Sequence, residues 1–247
     1  MKVVFHKNFC KSYISDPAAA PGRMESIETA FKGRAEFITA VPASEEDLAA
    51  VHTDRHIETI RSSGLYDIAA LSAGGAVQAA EIGLTEPCFA LIRPPGHHAS
   101  ADSCWGFCYF NNMAVALWHL KRKGKIASAF VLDFDLHYGD GTVNILGEEK
   151  WVKIYNPPER NREDYIREVA RTLADVKADI IGISAGFDHH KEDWGGLLET
   201  EDYYSMGAMV RATANKNHGG CFAILEGGYN HDVLGQNAAA LMDGLSS

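Results

Sequence analysis

The sequence predicts an α/β fold: a three-layer sandwich with a central, mainly parallel sheet flanked by helices. Short apolar runs alternate with longer segments of helical period along the 247 residues, and a turn follows each run. Strands that alternate with helices pair in parallel through right-handed crossovers, which place helices on both faces of the sheet. No internal repeat and no Pro/Gly/Ser-rich linker interrupts the pattern. One domain of this class therefore accounts for the whole chain.

The first part of the chain shows this alternation in its apolar runs. The run at 3–5 predicts a strand, and the amphipathic segment at 45–62 predicts a helix that begins after Ser44. We expect an alanine-rich helix at 65–83, where a glycine pair indicates close packing against a neighbour. The run at 88–93 predicts a buried strand, because two prolines stop it.

The remainder of the chain repeats the alternation. We predict helices at 112–123, 162–176, 200–217 and 231–245, and strands at 127–134, 152–155, 179–185 and 221–225. The clear 3.6-residue period of 162–176 is typical of an amphipathic helix, and the β-branched residues of 179–185 favour a strand.

Composition excludes several classes of protein. The net charge of −10 disfavours nonspecific binding to nucleic acid or to an anionic membrane. No apolar stretch approaches the roughly 20 residues that a membrane span requires, and the N-terminus does not resemble a signal peptide. The five cysteines form no CxxC pair, and an odd number cannot all pair within one chain, so we expect reduced thiols. These features predict a cytoplasmic protein without nucleic-acid or membrane partners.

Chemically active residues follow four of the predicted strands. The segments that contain them are 93–98, 133–140, 184–190 and 226–230. In parallel α/β sheets the functional site lies at the carboxyl ends of the strands, near a topological switch point. Core packing alone does not explain why four strand ends deliver polar residues and glycines.

Asp133, Asp135 and His137 are spaced so that their side chains share one face of an extended segment. A carboxylate and an imidazole two residues apart could bind one metal ion, with Asp188 from another strand end as the third ligand. Three protein ligands leave a position open for water, which is the pattern of catalytic zinc. Iron(II) or another divalent ion also suits this oxygen-rich set.

Two histidine pairs accompany these carboxylates. His97 and His98 follow a Pro-Pro-Gly turn, and an imidazole of near-neutral pKa can take a proton from water and return it to a leaving amine. Each imidazole needs a partner that fixes its tautomer, and Asp133 and Asp140 are the carboxylates left for this task. The second pair, His189–His190, competes for the third ligand position or lies in a solvated loop.

Two aromatic segments complete the set of candidates. Tyr229 lies on a glycine-rich turn, where its hydroxyl could donate a hydrogen bond to a developing oxyanion. Trp105–Asn112 is rich in aromatic residues and precedes a helix. This segment forms either a hydrophobic plug or the wall of a substrate channel.

Together these motifs resemble the histone deacetylase/acetylpolyamine amidohydrolase family, which has the arginase/deacetylase fold. The motifs that match occur in the family's order over most of the chain: 93–98 (RPPGHH), 106–112 (GFCYFNN), 133–141 (DFDLHYGDG), 184–188 (SAGFD) and 225–230 (LEGGYN). The resemblance implies that Asp135, His137 and Asp188 are zinc ligands.

The resemblance also assigns roles in proton transfer and in substrate binding. His98 would be the main general base and acid, with His97 as its electrostatic partner. Asp140 would orient His98, and Asp133 would orient His97.

On the substrate side, Tyr229 would polarise the amide carbonyl. Phe107 would form one channel wall, and the Gly106 carbonyl would accept a hydrogen bond from the scissile N–H. The implied substrates are acetylated amines, such as acetyl-lysine or acetylpolyamines.

The chain departs from the family at the rim of the site. The segment from Asp140 to Ser184 is short and has no counterpart of the family's glycine-rich loop with its second channel aromatic. No serine near Tyr155 provides the hydroxyl ligand of the family's monovalent-cation site, and the stretch from Arg61 to Leu71 lacks an acidic rim loop. We therefore predict one deacetylase-like catalytic domain over 1–247 with shortened rim loops and a shallower or wider mouth. A homo-oligomeric neighbour could supply the missing wall.

Two other functions are compatible with parts of the pattern. A ureohydrolase-like enzyme would hold two metals, because 135–140 resembles an Asp-x-His-x-Asp pattern, but it would need more bridging carboxylates. A non-catalytic protein that binds acyl-amines would lack one of the chemical groups, whereas this chain retains them all. The metal count per chain and turnover of an acyl-amine distinguish these alternatives.

Overall fold

Seven parallel strands form the central sheet in the computed structural model, which describes residues 1–247. The strands are β1 (Lys2–Phe5), β2 (Glu36–Thr39), β3 (Cys88–Ala90), β4 (Ala129–Asp133), β5 (Val152–Tyr155), β6 (Ile180–Ala185) and β7 (Gly220–Leu225). Their spatial order is β2-β1-β3-β7-β6-β4-β5, and every neighbouring pair is parallel. The predicted mainly parallel sheet is thus entirely parallel.

Nine α-helices surround the sheet. They are α1 (Arg23–Phe31), α2 (Glu45–Ala49), α3 (Asp54–Ser62), α4 (Tyr66–Gly83), α5 (Asn112–Arg122), α6 (Asp140–Leu146), α7 (Arg162–Ala174), α8 (Thr200–Lys216) and α9 (His231–Ser246). Helix α4 packs on β1, β3 and β7 and against α5, whereas α8 packs on β6 and β7 and against α9. This arrangement is the predicted three-layer α/β sandwich. None of the helices combines the length and apolar character that a membrane span requires.

The central strands are buried over their whole length. Every residue of β3, β4, β6 and β7 is inaccessible to solvent, as expected for strands covered by helices on both faces. Their side chains belong to one cluster of buried apolar residues that extends from Val3 to Leu245. The sheet is therefore a rigid base from which the loops after these strands project. The assignment of 1–247 to a single domain stays a prediction.

The structure differs from the sequence prediction mainly in the first half of the chain. The predicted helix at 45–62 is two helices, because Thr53 leaves the helical conformation and its side chain caps α3 by accepting a hydrogen bond from the His56 amide (3.3 Å). The Thr53 amide instead donates to the Ala101 carbonyl (2.9 Å). Helices α1 and α6 and strand β2 were not predicted; β2 is a mostly exposed edge strand and so lacks a buried apolar run.

Candidate active site

The four segments that were predicted to hold the site meet at one edge of the sheet. They follow β3, β7, β6 and β4, which are neighbours in that order. The register fixes their relative heights, because Asp133 pairs with Ser184 and Ala185 pairs with Leu225. Residues far apart in sequence are in this way brought together above the carboxyl ends of four adjacent strands.

The three predicted metal ligands form one cluster. Ligand atoms of Asp135, His137 and Asp188 all lie within 4.8 Å of one another. His137 Nδ1 is 3.2 Å from Asp135 Oδ1 and 3.1 Å from Asp188 Oδ2. The competing histidines lie elsewhere: the ring of His189 packs edge-on against Tyr165, and His190 accepts a hydrogen bond from the backbone two residues ahead.

The ligands reach the cluster from a turn, which differs from the extended segment that we expected. Strand β4 ends at Asp133, and the carboxylate of this residue accepts a hydrogen bond from the Asp135 amide (3.2 Å). The Asp135 carboxylate in turn accepts one from the His137 amide (2.9 Å). Each aspartate thus folds the backbone two residues further on, as Asx turns do.

The cluster has the properties of a cation site. Both carboxylates are buried, and the only donor near Asp188 Oδ2 is Nδ1 of His137, itself a candidate ligand, at 3.1 Å. Burial, together with the charge of Asp135, raises the pKa of Asp188 to about 6, while hydrogen bonds to the two carboxylates raise the pKa of His137 to about 10. A side chain at Gly227 would contact both carboxylates, since its Cβ would lie 2.5 Å from Asp135 Oδ2 and 2.8 Å from Asp188 Oδ1. Two oxygen ligands and one nitrogen ligand therefore fit a divalent ion with an open position.

The histidine pair lies beside this cluster with the predicted carboxylate partners. His98 Nδ1 donates to Asp140 Oδ1 (2.6 Å), and His97 Nδ1 donates to Asp133 Oδ2 (3.1 Å). The two rings are in contact, with centroids 4.0 Å apart and 40° between their planes. Each pair therefore leaves Nε2 of the histidine as the atom that can accept or release a proton.

The two histidines differ in their protonation. Burial acts to lower the pKa of His97, but the carboxylates of Asp135 and Asp133 raise it well above its usual value. Burial and the charge on His97 lower the pKa of His98 to about 4, against the opposing effect of Asp140. At neutral pH the pair thus consists of one charged and one neutral imidazole, and His98 is the one that can accept a proton.

Tyr229, Gly106 and Phe107 line the same pocket as the histidine pair. Burial raises the pKa of Tyr229, so its phenol remains a hydrogen-bond donor. Gly106 (φ +58°) and Phe107 (φ +69°) both have left-handed backbone conformations. A Cβ at Gly106 would lie 2.4 Å from His98 Cδ2, so a glycine is required for the loop to approach the imidazole.

Two exposed tryptophans frame the mouth of this pocket, whose volume is about 130 Å³. Trp105 and Trp194 are 54% and 53% exposed, and the imidazole of His137 is 38% exposed. The segment 105–112 proves to be partly wall and partly core, because Trp105 and Phe107 line the pocket whereas Phe110 is buried. The ligand cluster therefore lies close to solvent, behind a rim made of indole rings.

A sequence model of the histone deacetylase domain matches residues 58–157 and 147–245 of this chain. The chain belongs to the histone deacetylase family. A probable deacetylase from Methanothermobacter thermautotrophicus is 32% identical over 85% of this chain and 78% of its own length. A histone deacetylase-like amidohydrolase from Pseudomonas aeruginosa is 28% identical over 93% of this chain and 78% of its own length. This histone deacetylase-family chain is accordingly a hydrolytic deacetylase.

A solved structure shares the fold of this chain. The crystal structure of the HDA15 HD domain superposes with a TM-score of 0.85 and covers 99% of this chain and 88% of its own, at 25% sequence identity. The arginase/deacetylase-like sandwich predicted from the motif order is thus confirmed.

Several residues of this deacetylase site were not assigned a role by sequence reasoning. Asp193 Oδ2 accepts hydrogen bonds from the amides of Tyr229 (2.7 Å) and Asn230 (2.8 Å), and so fixes the turn that holds the tyrosine. The buried Glu226 accepts the Gly96 amide (2.7 Å) and supports the loop before the histidine pair. The only sequence signal for Glu226 was its place within a recognised motif, and Asp193 had none.

Arg23 is a second support beneath Tyr229. Its buried guanidinium donates to the carbonyls of Gly228 (2.8 Å) and Glu226 (2.5 Å), and it lies 5.5 Å from the centroid of the Tyr229 ring. This arginine was assigned no role from the sequence. Its two acceptors lie 205 and 203 residues away in the sequence, so no local pattern could indicate these hydrogen bonds.

Proposed function

We propose that this chain is a zinc-dependent deacylase that hydrolyses the amide of N-acetylated or N-acylated amines. The observation that carries the proposal is the placement of the Asp135–His137–Asp188 cluster beside a histidine, His98, that is hydrogen-bonded to Asp140 at 2.6 Å. This combination unites ligands for an activating metal with a group able to transfer protons. Iron(II) is the alternative metal, because the ligand set contains two carboxylates.

A bound zinc ion would supply Lewis acidity toward the amide carbonyl and would lower the pKa of water. The protein's own groups perform the remaining steps. His98 accepts the proton of the attacking water at Nε2 and later returns it to the leaving amine, while Asp140 keeps the imidazole oriented. His97, held charged by Asp133, favours the negative charge that develops nearby.

The substrate is oriented by groups on the opposite side of the pocket. The Tyr229 hydroxyl donates to the carbonyl oxygen as negative charge develops on it. The Gly106 carbonyl accepts the scissile N–H, and Phe107 packs along the amine's alkyl part. The positions of Phe107 and Tyr229 support these roles. Their rings meet edge-on at the mouth, with centroids 6.0 Å apart, so both side chains border the same opening.

The shortened rim is compensated within the chain. Trp194 lines the pocket together with Phe107, and its ring stacks on Tyr229. We propose that this indole takes the place of the second channel aromatic that the shortened segment after Asp140 lacks. On this proposal the mouth needs no wall from a neighbouring subunit, and its substrates would be small acetylated amines as well as acetyl-lysine.

The rival functions have less support. One group of three ligand atoms supports a single metal per chain, whereas a ureohydrolase-like centre requires two. A non-catalytic binder would not require a hydrogen-bonded pair such as His98 and Asp140. No serine lies near Tyr155 to act as the hydroxyl ligand of the family's monovalent-cation site, and the next residue, Asn156, accepts the Gly139 amide through Oδ1 (2.9 Å), so this second cation is not part of the proposal.

The decisive experiment measures metal content and acetate release together. The wild-type protein, Asp188→Ala and the control Asp175→Ala, an exposed carboxylate at the end of α7, are reconstituted with zinc or iron(II). Substrates are a fluorogenic acetyl-lysine peptide and acetylated polyamines. We expect one metal per chain and turnover in the wild type and in Asp175→Ala, and loss of both in Asp188→Ala. Metal binding without turnover of any acyl-amine would refute the deacylase proposal.

A further inference from the structure

Trp105 contacts both members of the acid–base pair. Its indole Nε1 donates a hydrogen bond to Asp140 Oδ2 (2.8 Å). Its ring packs against the imidazole of His98, with centroids 3.9 Å apart and a tilt of 30° between the planes. One side chain on the rim of the pocket is thus bonded to the carboxylate and covers the ring that the carboxylate orients.

The geometry gives each oxygen of Asp140 one donor. Oδ1 accepts from His98 (2.6 Å), and Oδ2 accepts from Trp105 (2.8 Å). The Asp140 side chain is 45% exposed, so water would be the alternative partner of Oδ2. A carboxylate held at one oxygen can rotate about its Cβ–Cγ bond, whereas one held at both oxygens by rigid rings keeps its plane. The indole also limits the tilt of His98 through its contact with the imidazole ring.

We propose that Trp105 is a positioning residue for deacylation, which fixes the Asp140 carboxylate and the His98 imidazole in the orientation that proton transfer requires. The proposal rests on the proposed function, because it concerns the same site. Trp105 is half exposed, so a substrate seated in the mouth covers the indole and excludes water from its bond to Asp140. Such a bond is stronger in a drier environment, so substrate binding tightens the pair at the moment of reaction.

A direct test of the contact uses the indole N–H resonances in a ¹H–¹⁵N spectrum. Trp105→Phe identifies the Trp105 signal by its disappearance. Asp140→Ala then removes the acceptor, and we expect the Trp105 signal to move upfield, while the signal of Trp151 stays in place. Trp151 is a matched control because its Nε1 also donates to a carboxylate, Glu149 Oε2 (2.9 Å), outside the site. An unchanged Trp105 signal in Asp140→Ala would overturn the proposal without reference to activity.

A double-mutant cycle tests whether the contact acts in the reaction. We expect Trp105→Phe, which retains a flat ring but no N–H, to lower kcat about tenfold with little change in KM. In the Asp140→Ala background the same substitution should lower kcat by less than about twofold, because the group through which Trp105 acts is gone. Trp151→Phe should leave kcat within about twofold of wild type in both backgrounds.

Two kinetic outcomes would contradict the positioning role. An equal loss of kcat in both backgrounds would mean that Trp105 acts independently of Asp140. A rise in KM at constant kcat would mean that the indole only contacts substrate at the rim. If the wild type turns over no acyl-amine, the proposed function fails, and the resonance of Trp105 still decides whether the indole is bonded to Asp140.

Discussion

The indole of Trp194 stacks on the ring of Tyr229, with centroids 4.0 Å apart and 25° between the ring planes. Asp193, the residue before Trp194, accepts hydrogen bonds from the amides of Tyr229 and Asn230. The loop after β6 therefore holds the turn after β7 through both its backbone and its aromatic ring. The orientation of the tyrosine hydroxyl depends on this contact.

Replacement of Trp194 should impair the chemical step. An aromatic pair of this kind contributes about 0.5–1.5 kcal/mol, so we expect Trp194→Ala to lower kcat by about 2–10-fold as Tyr229 becomes less well oriented. Trp194→Phe retains a stacking ring and should remain within about twofold of wild type. Steady-state kinetics with an acetyl-lysine peptide measures both. Tyr204→Ala, at an exposed aromatic on α8, is the control; kcat equal to wild type in Trp194→Ala would contradict the prediction.

The acid side of the pH profile should depend on the charge of His97. Burial is the largest cause of the low pKa of His98, about 4, and the charge of His97 is the second. His98 must be neutral to accept a proton. His97→Gln removes this charge and so raises the pKa of His98. As the pH is lowered, the activity that remains in the variant should therefore decline at a higher pH than the activity of wild type. The measurement is log kcat/KM against pH with both proteins loaded with the same metal. An acid limb that stays in place or moves to lower pH would show that His97 does not act on His98 by its charge.

The buried Glu226 should make the stability of the metal-free protein fall as pH rises. Burial raises its pKa to about 7 in the folded state, above the model-peptide value of about 4.3 in the unfolded chain. The folded state therefore binds this proton more tightly, and the associated stability is complete below about pH 4 and is lost as pH rises through 7.

Glu226→Gln should remove this dependence, because the amide oxygen can still accept the Gly96 amide but carries no charge. We expect the variant to match wild type near pH 4 and to exceed it at pH 8 by up to roughly 3 kcal/mol in the free energy of unfolding. Urea denaturation of the metal-free proteins at several pH values measures the difference. Equal stabilities at pH 8 would show that Glu226 is ionised at no cost in the folded protein.

Metal binding should stabilise the fold through the ligand cluster. The buried carboxylates of Asp135 and Asp188 repel each other without a cation, and a ligand that binds only the folded state at about 100 times its Kd adds about 2.7 kcal/mol. For a chain of this size we expect the Tm to rise by about 5–10 °C on addition of zinc to the chelator-treated protein. Calorimetry of Asp188→Ala should show a shift below about 2 °C. A full shift in that variant would locate the stabilising metal elsewhere.

The sequence predicted those parts of the fold and site that depend on short-range patterns. The strands at β5, β6 and β7 were predicted nearly to the residue, because short segments rich in apolar and β-branched residues that end at turn residues are local signals. The pairing of His98 with Asp140 was likewise inferred from the motifs, and the structure brings the two within hydrogen-bonding distance.

The rest could not be predicted because it depends on where loops meet. Trp105 and Asp140 are 35 residues apart, and Trp194 meets Tyr229 across the loops of two different strands. The bend of the chain at Thr53 is similar, since the Thr53 amide bonds to Ala101 rather than continuing a helix. No periodicity in the sequence indicates such contacts, and the family's motifs do not include these tryptophans.

The position of β7 has a consequence for how the enzyme matures. This strand follows the other six in sequence but lies at the centre of the sheet, between β3 on one side and β6 on the other. The histidine pair follows β3, whereas the metal ligands follow β4 and β6, so the two groups belong to halves of the sheet that only β7 joins. A chain in which Gly220–Leu225 has not yet joined the sheet has two separate groups of strands. Its histidine pair is therefore not aligned with its metal ligands. The histidine pair and the metal ligands are therefore aligned only once β7 is inserted between the two halves of the sheet.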